Sequence, residues 1–259
     1  MKRLCLIVGI LALIEAGALE APRQGGVYVV AHRGAHEGIP ENTLPAYAKA
    51  IEIGADFVEV DIRTTKDGKF VSIHNATIDG YAEGASGRVK EMTFDQLRAL
   101  DVGSRVGPDW AGTRIPSFEE ILDLCRGKIG IYLDLKDAPV APLVEMIRAR
   151  GMEGQVLWYA GRAQLRELAN VCPECVPMPD PGPEKNLAKL LQESKPKVVA
   201  SVWKEYSKTF AESCHAAGAI VIVDDGGPKT WDKMLEWGTE GIQTDQPAEL
   251  IKTLKDGAK

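Results

Sequence analysis

Between Val27 and His74 four short pieces hold side chains able to do chemistry: His32-Arg33-Gly34, Glu41-Asn42-Thr43, Glu59-Val60-Asp61 and His74. Residues two apart on a strand share a face, so Glu59 and Asp61 point one way while Val58, Val60 and Ile62 point the other. Two carboxylates held side by side repel unless a cation or a shared proton lies between them. A hard divalent ion, Ca²⁺ or Mg²⁺, meets that need with oxygen ligands. The same alternation in Tyr132-Leu133-Asp134-Leu135-Lys136 puts Asp134 and Lys136 on one face, which makes Asp134 a candidate third ligand. Lys136 beside it is either a salt-bridge partner or a contact to an anionic substrate.

Two histidines complete the candidate site. Asp67-Gly68 is a preferred centre for a two-residue hairpin loop. Pairing residue 66 with 69 and counting outward sets Asp61 opposite His74, about 5 Å apart at Cβ. His32 ends the preceding strand and reaches the same mouth. Two imidazoles around a Lewis acid form a general acid/base couple, and Arg33 offers a planar fork to phosphate oxygens.

The elements that must position these groups follow from the apolar runs. Strands are expected at Val27–Ala31, Phe57–Ile62, Gly130–Leu135, Gln155–Tyr159, Val176–Met178, Val198–Val202, Ala219–Val223 and Gly241–Thr244, with helical patterns between them. The first helix runs from an N-cap at Thr43, with Pro45 in its first turn, to Gly54. Eight strands alternating with helices predict an α/β TIM (β/α)₈ barrel over about 25–255. A doubly wound open sheet shares the alternation, but no Gly-rich dinucleotide fingerprint accompanies it. The long polar stretch after the second strand, about 75–116, reads as a small insertion on the barrel rim.

Composition narrows the function classes. The chain has 259 residues, 45% hydrophobic and 26% charged, with a formal net charge of -6. That charge disfavours nucleic acid as a partner. Lys2 and Arg3, the apolar run Leu4–Ile14 and Ala16-Gly17-Ala18 read as a signal peptide over residues 1–18, so the protein is expected to be exported. Without an exposed amphipathic basic stretch, no stable membrane partner is expected. Cys125, Cys172, Cys175 and Cys214 follow the leader, and in an oxidising compartment a disulfide is plausible. Cys172-Pro173-Glu174-Cys175 has the spacing of a redox or zinc motif but lacks a second pair.

Taken in order, these residues resemble the glycerophosphodiester phosphodiesterase family. The resemblance rests on His32-Arg33-Gly34, Glu41-Asn42-Thr43-Leu44-Pro45-Ala46, Glu59-Val60-Asp61 before Thr65-Lys66-Asp67-Gly68, and His74. It continues through Gly112-Thr113-Arg114-Ile115-Pro116 to Gly241-Ile242-Gln243-Thr244-Asp245-Gln246-Pro247. It implies a TIM barrel with a divalent metal on Glu59, Asp61 and Asp134, His32 and His74 as acid and base, and Arg33 and Lys136 on the phosphate of a small phosphodiester. The implied reaction yields sn-glycerol 3-phosphate and an alcohol. The chain departs from the family pattern with Asp134 in place of Glu, with Asp224-Asp225-Gly226-Gly227 after the penultimate strand, and with Gly80 in place of an Arg. Rival readings are a phospholipase D- or C-like enzyme on intact lipid, or a catalytically weakened phosphate-binding barrel.

Overall fold

A computed structural model describes residues 19–257; the expected signal peptide at 1–18 lies outside the described residues. In chain order the elements are β1 (Tyr28–Ala31), α1 (Leu44–Ile53), β2 (Phe57–Thr64), β3 (Phe70–Ser72), α2 (Phe94–Arg98), α3 (Phe118–Cys125), β4 (Gly130–Leu135) and α4 (Val140–Arg148). There follow β5 (Val156–Tyr159), α5 (Arg162–Val171), β6 (Val176–Pro177), α6 (Leu187–Ser194), β7 (Val198–Val202), α7 (Lys208–Ala216), β8 (Ile220–Asp224), α8 (Trp231–Glu236), β9 (Gly241–Thr244) and α9 (Pro247–Gly257). The expected strands are all present, three with the expected bounds and the others with ends displaced by one or two residues.

Eight strands pair in parallel in the order β6-β5-β4-β2-β1-β9-β8-β7, while β3 pairs outside this path against β2. The two end strands come together: the Ala200 amide donates to the Pro179 carbonyl just past β6, at 3.0 Å. The result is a nearly closed (β/α)₈ barrel, not an open doubly wound sheet. Strand alternation explains both of its layers. Tyr28, Val30, Phe57, Leu157, Val198 and Ile222 fill the barrel interior. Val29, Val58, Val60, Ile62 and Leu133 point outward into the core shared with the helices. Each such fully buried aliphatic or aromatic side chain contributes about 1.5–3 kcal/mol. In α3 the buried face is Phe118, Ile121, Leu122 and Cys125, and Ser117 with Glu120 closes a reciprocal capping box.

The expected hairpin register is off by one residue. Ile62 pairs Ser72, Arg63 pairs Val71 and Thr64 pairs Phe70, so Asp61 stands opposite Ile73 and not His74. The loop holds three residues, because the Thr65 amide donates to Lys69 O and the Gly68 amide donates to Thr65 O. Gly68 adopts φ +76°, the left-handed residue that such a bulged three-residue loop requires. Thr43 stands at the N-cap of α1, but its hydroxyl accepts from no helix amide and instead donates to Pro40 O.

Beyond β3, the chain builds a rim layer with its own small core of Val71, Ile73, Ile78, Tyr81, Val89, Leu97, Val102 and Ile115. Trp110 Nε1 in that layer donates to Gly38 O at 2.7 Å, which ties the rim to the loop after β1. Cys172 and Cys175 form a disulfide. Cys125 and Cys214 are buried free thiols, each pushed up to about 12 by burial.

Candidate active site

The carboxylates meet because of register. Asp61 on β2 pairs with Asp134 on β4, and Glu59 lies two residues before Asp61 on the same face. One oxygen from each of Glu59, Asp61 and Asp134 falls within 4.8 Å of the others. Glu59 is 2% exposed and Asp61 0%. Lys136 Nζ lies 2.9 Å from Asp61 Oδ1 and 2.5 Å from Asp134 Oδ2. Of the two readings of Lys136, the salt bridge is thus present, and it spans two carboxylates. Lys136 compensates the charge of this buried oxygen, which no donor reaches in good hydrogen-bond geometry.

Burial, reinforced by Asp61 and Asp134, pushes Glu59 well above the usual carboxylate range. Burial acts on Asp61 in the same sense, but Lys136 and the Asn42 amide outweigh it and hold Asp61 below its ordinary value. Asp134 is raised by burial, which Lys136 only partly offsets. An all-oxygen group with an undonated buried oxygen and one member driven toward protonation could hold a divalent ion.

The Glu41-Asn42-Thr43 piece braces this group from the start of α1. Asn42 Nδ2 donates to Asp61 Oδ2 at 2.7 Å, and Asn42 Oδ1 accepts from Tyr47 Oη at 2.9 Å and from Ser72 Oγ at 2.8 Å. Asn42 has φ +55°, a left-handed conformation that Asn tolerates better than most residues. Gly34, at φ +85°, lets the loop after β1 pack on α1: a Cβ there would stand 2.7 Å from the Ala46 Cβ. That contact fixes His32 and Arg33. The Arg33 amide donates to Glu59 Oε2 at 2.8 Å, and its guanidinium lies between Glu41 (Nη1 to Oε1, 3.3 Å) and Asp61 (Nε to Oδ2, 3.8 Å).

His32, Arg33, His74, Tyr132, Tyr159, Asp180, Ser201, Asp224 and Gln243 line, with the three carboxylates, a cavity of about 190 Å³. It opens at the C-terminal ends of the strands, where barrel enzymes carry their sites. His74 reaches it from the bend after β3, where Arg63 Nε and Nη2 both donate to its carbonyl and its Nδ1 meets Asn75 Oδ1 at 2.9 Å. His32 Nδ1 lies 2.7 Å from Asp245 Oδ1, and His36 Nε2 lies 3.0 Å from the same oxygen. The two imidazole contacts hold Asp245 far below the usual carboxylate range. Sequence reasoning assigned no role to His36, Asp180 or Asp245, and met Asp224 only as a departure from the family pattern. The three acids all sit at the C-terminal ends of barrel strands or just past them, and that position is the signal that would have found them.

Comparison with known proteins agrees with this geometry. Residues 32–149 match the family model described as the glycerophosphoryl diester phosphodiesterase family. YhdW of Bacillus subtilis is 42% identical over 113 residues, 44% of this chain, so the match spans about half (46%) of that relative. A glycerophosphodiester phosphodiesterase of Caldanaerobacter subterraneus is 29% identical over 253 residues, 88% of this chain and 98% of its own. The crystal structure of an Agrobacterium tumefaciens glycerophosphodiester phosphodiesterase superposes with TM-score 0.78 at 25% identity, over 87% of this chain and 99% of that one. An Oleispira antarctica phosphodiesterase, solved with its product sn-glycerol-3-phosphate, gives TM-score 0.81 at 22% identity, over 88% of this chain and 96% of that one. The chain is thus similar to glycerophosphodiester phosphodiesterases, in sequence most clearly over residues 32–149 and in fold over most of its length.

Proposed function

We propose that the protein is a metal-dependent phosphodiesterase that cleaves small glycerophosphodiesters to sn-glycerol 3-phosphate and an alcohol. The observation that carries the reading is the convergence of three carboxylates, two histidines and Arg33 on one cavity at the mouth of the barrel, with Lys136 paired to two of the carboxylates. The product bound by the Oleispira relative supports the substrate class. Glu59, Asp61 and Asp134 would hold the metal, and their hard oxygen donors favour Ca²⁺ or Mg²⁺. Such an ion supplies Lewis-acid polarisation of a phosphoryl oxygen when bound.

The chain's own groups do the rest. Arg33 and Lys136 bring positive charge to the non-bridging phosphate oxygens and stabilise charge that grows on them. Asp245 engages His32 at Nδ1, which leaves Nε2 as the nitrogen for proton transfer. Asn75 engages His74 in the same way. One imidazole takes the proton of the attacking hydroxyl as its oxygen bonds to phosphorus. The other protonates the alcohol oxygen as the P–O bond to it breaks, so the protons balance over the two rings.

The test is an assay of the protein on glycerophosphocholine and glycerophosphoethanolamine with EDTA, Ca²⁺ or Mg²⁺. Activity lost in EDTA and restored by one of the ions is expected; activity indifferent to EDTA, or none with either ion, refutes the reading.

A further inference from the structure

A second group of ligand atoms stands beside the acidic one. One atom each from His32, His36 and Asp245 falls within 4.8 Å of the others. His32 and Asp245 directly follow the paired residues Ala31 and Thr244 of adjacent strands, and the His32 amide donates to Thr244 O at 3.1 Å. Their backbones are therefore fixed relative to each other. His36 comes from the loop after β1, which is tied down on both sides, by the Ala35 amide on Ala46 O and by Trp110 on Gly38 O. One imidazole on Asp245 is enough to orient His32. Both rings instead converge on the same oxygen, His32 Nδ1 at 2.7 Å and His36 Nε2 at 3.0 Å.

Two imidazoles and a carboxylate are the donor set of many zinc sites with an open fourth position. Metal–ligand bonds of about 2.0–2.1 Å set tetrahedral ligand atoms about 3.3 Å apart, close to the two nitrogen–oxygen contacts of 2.7 and 3.0 Å seen on Asp245. Both histidines are partly exposed and Asp245 is 51% exposed at its side chain, which leaves a path for an ion and room for water as a further ligand. The donors are softer than the all-oxygen group of Glu59, Asp61 and Asp134, and the two groups therefore sort ions by chemistry.

We propose that His32, His36 and Asp245 form a second metal site, selective for a borderline divalent cation of the zinc class. Occupancy ligates His32 through Nδ1, leaves its Nε2 protonated and removes its capacity to accept a proton. This consequence rests on the proposed role of His32, whereas binding itself does not.

Calorimetric titration of the protein with ZnCl₂ in excess Mg²⁺ tests the site, with His36→Gln, Asp61→Asn and His215→Gln alongside. One zinc per chain is expected, with affinity at least about tenfold lower in His36→Gln and unchanged in Asp61→Asn and His215→Gln. A thermal shift with Mg²⁺ that His36→Gln retains would show that this variant is folded. Wild-type zinc affinity in His36→Gln overturns the proposal, as does loss of zinc binding in Asp61→Asn, which moves the ion to the acidic group. No zinc binding at all also overturns it and leaves a hydrogen-bonded triad only. Zinc inhibition that His36→Gln relieves is the activity readout, separate from the binding one.

Discussion

Replacing Lys136 by Met tests whether the lysine and a metal share the same carboxylates. Lys136 touches Asp61 and Asp134, and its loss leaves Glu59, Asp61 and Asp134 with Arg33 as the nearby cation, 3.8 Å from Asp61 Oδ2. Removing one partner of a fully buried ion pair costs about 3–5 kcal/mol. The Lys136 and Asp134 side chains are 20% and 17% exposed, so solvent screening lowers the expected cost to about 2–3 kcal/mol. For a domain of this size about 2–4 °C of melting temperature accompanies each kcal/mol, which gives a fall of about 4–12 °C in EDTA. An ion at a hundred times its Kd adds about 2.7 kcal/mol, comparable to the deficit. The ion stabilises Lys136→Met more than the wild type, because in the wild type it competes with Nζ for Asp61 and Asp134. Scanning calorimetry of both proteins in EDTA and in saturating Ca²⁺ or Mg²⁺ reads this directly. An equal melting deficit with and without metal would place the ion elsewhere and refute the assignment of the three carboxylates.

Three further outcomes are expected. His74→Ala should lower kcat by about 10²–10⁴-fold with a much smaller effect on KM, the size of a lost acid/base group; an unchanged kcat in the metal-loaded enzyme would remove His74 from the chemistry. Tyr47→Phe deletes a fully buried hydroxyl that bonds Asn42 and Ser72, so denaturant unfolding should show a loss of about 1–3 kcal/mol together with weaker metal binding through Asn42 and Asp61; unaltered stability would mean that the network relaxes without it. Glu59 has its folded value raised above its unfolded one, so its contribution is fully present below the unfolded value of about 4.5 and is lost as pH rises through the folded value. In EDTA the wild type should therefore lose stability relative to Glu59→Gln on going from pH 4 upward, and added metal should reduce the difference; a difference that grows as pH falls would reverse the sign and refute the cause.

The barrel was legible because alternation and apolar runs report directly on strand faces, and the pairing of Asp61 with Asp134 follows once β2 and β4 are neighbours. Register within the β2–β3 hairpin was not legible: Asp67-Gly68 signals a turn, but a two-residue loop and a bulged three-residue loop share that dipeptide and differ by one residue in what faces Asp61. His74 reaches the cavity all the same, through the Arg63 side chain that grips its carbonyl, an interaction no pattern of spacing reports. Asp245 and Asp224 were hidden for another reason. Each lies more than 140 residues from Asp61, and only closure of the β1–β9–β8 side of the barrel brings it to the site.

Asp134 is one methylene shorter than the Glu usual at its position, which on side-chain length alone suggests a carboxylate that falls short of the metal. Direct pairing of its strand position with Asp61 brings it in nonetheless, and its oxygen remains within 4.8 Å of those of Glu59 and Asp61. Lys136, two residues on and on the same face, reaches both aspartates at once. The second departure also acts inside the cavity. Asp224 is raised by burial, although His32 partly offsets this. With Asp180 it adds acidic groups at strand ends away from the two cations, a wall suited to hydroxyls or an ammonium group and hostile to a second phosphate. Both departures therefore redistribute charge within one site, and His32 and His74 still line it.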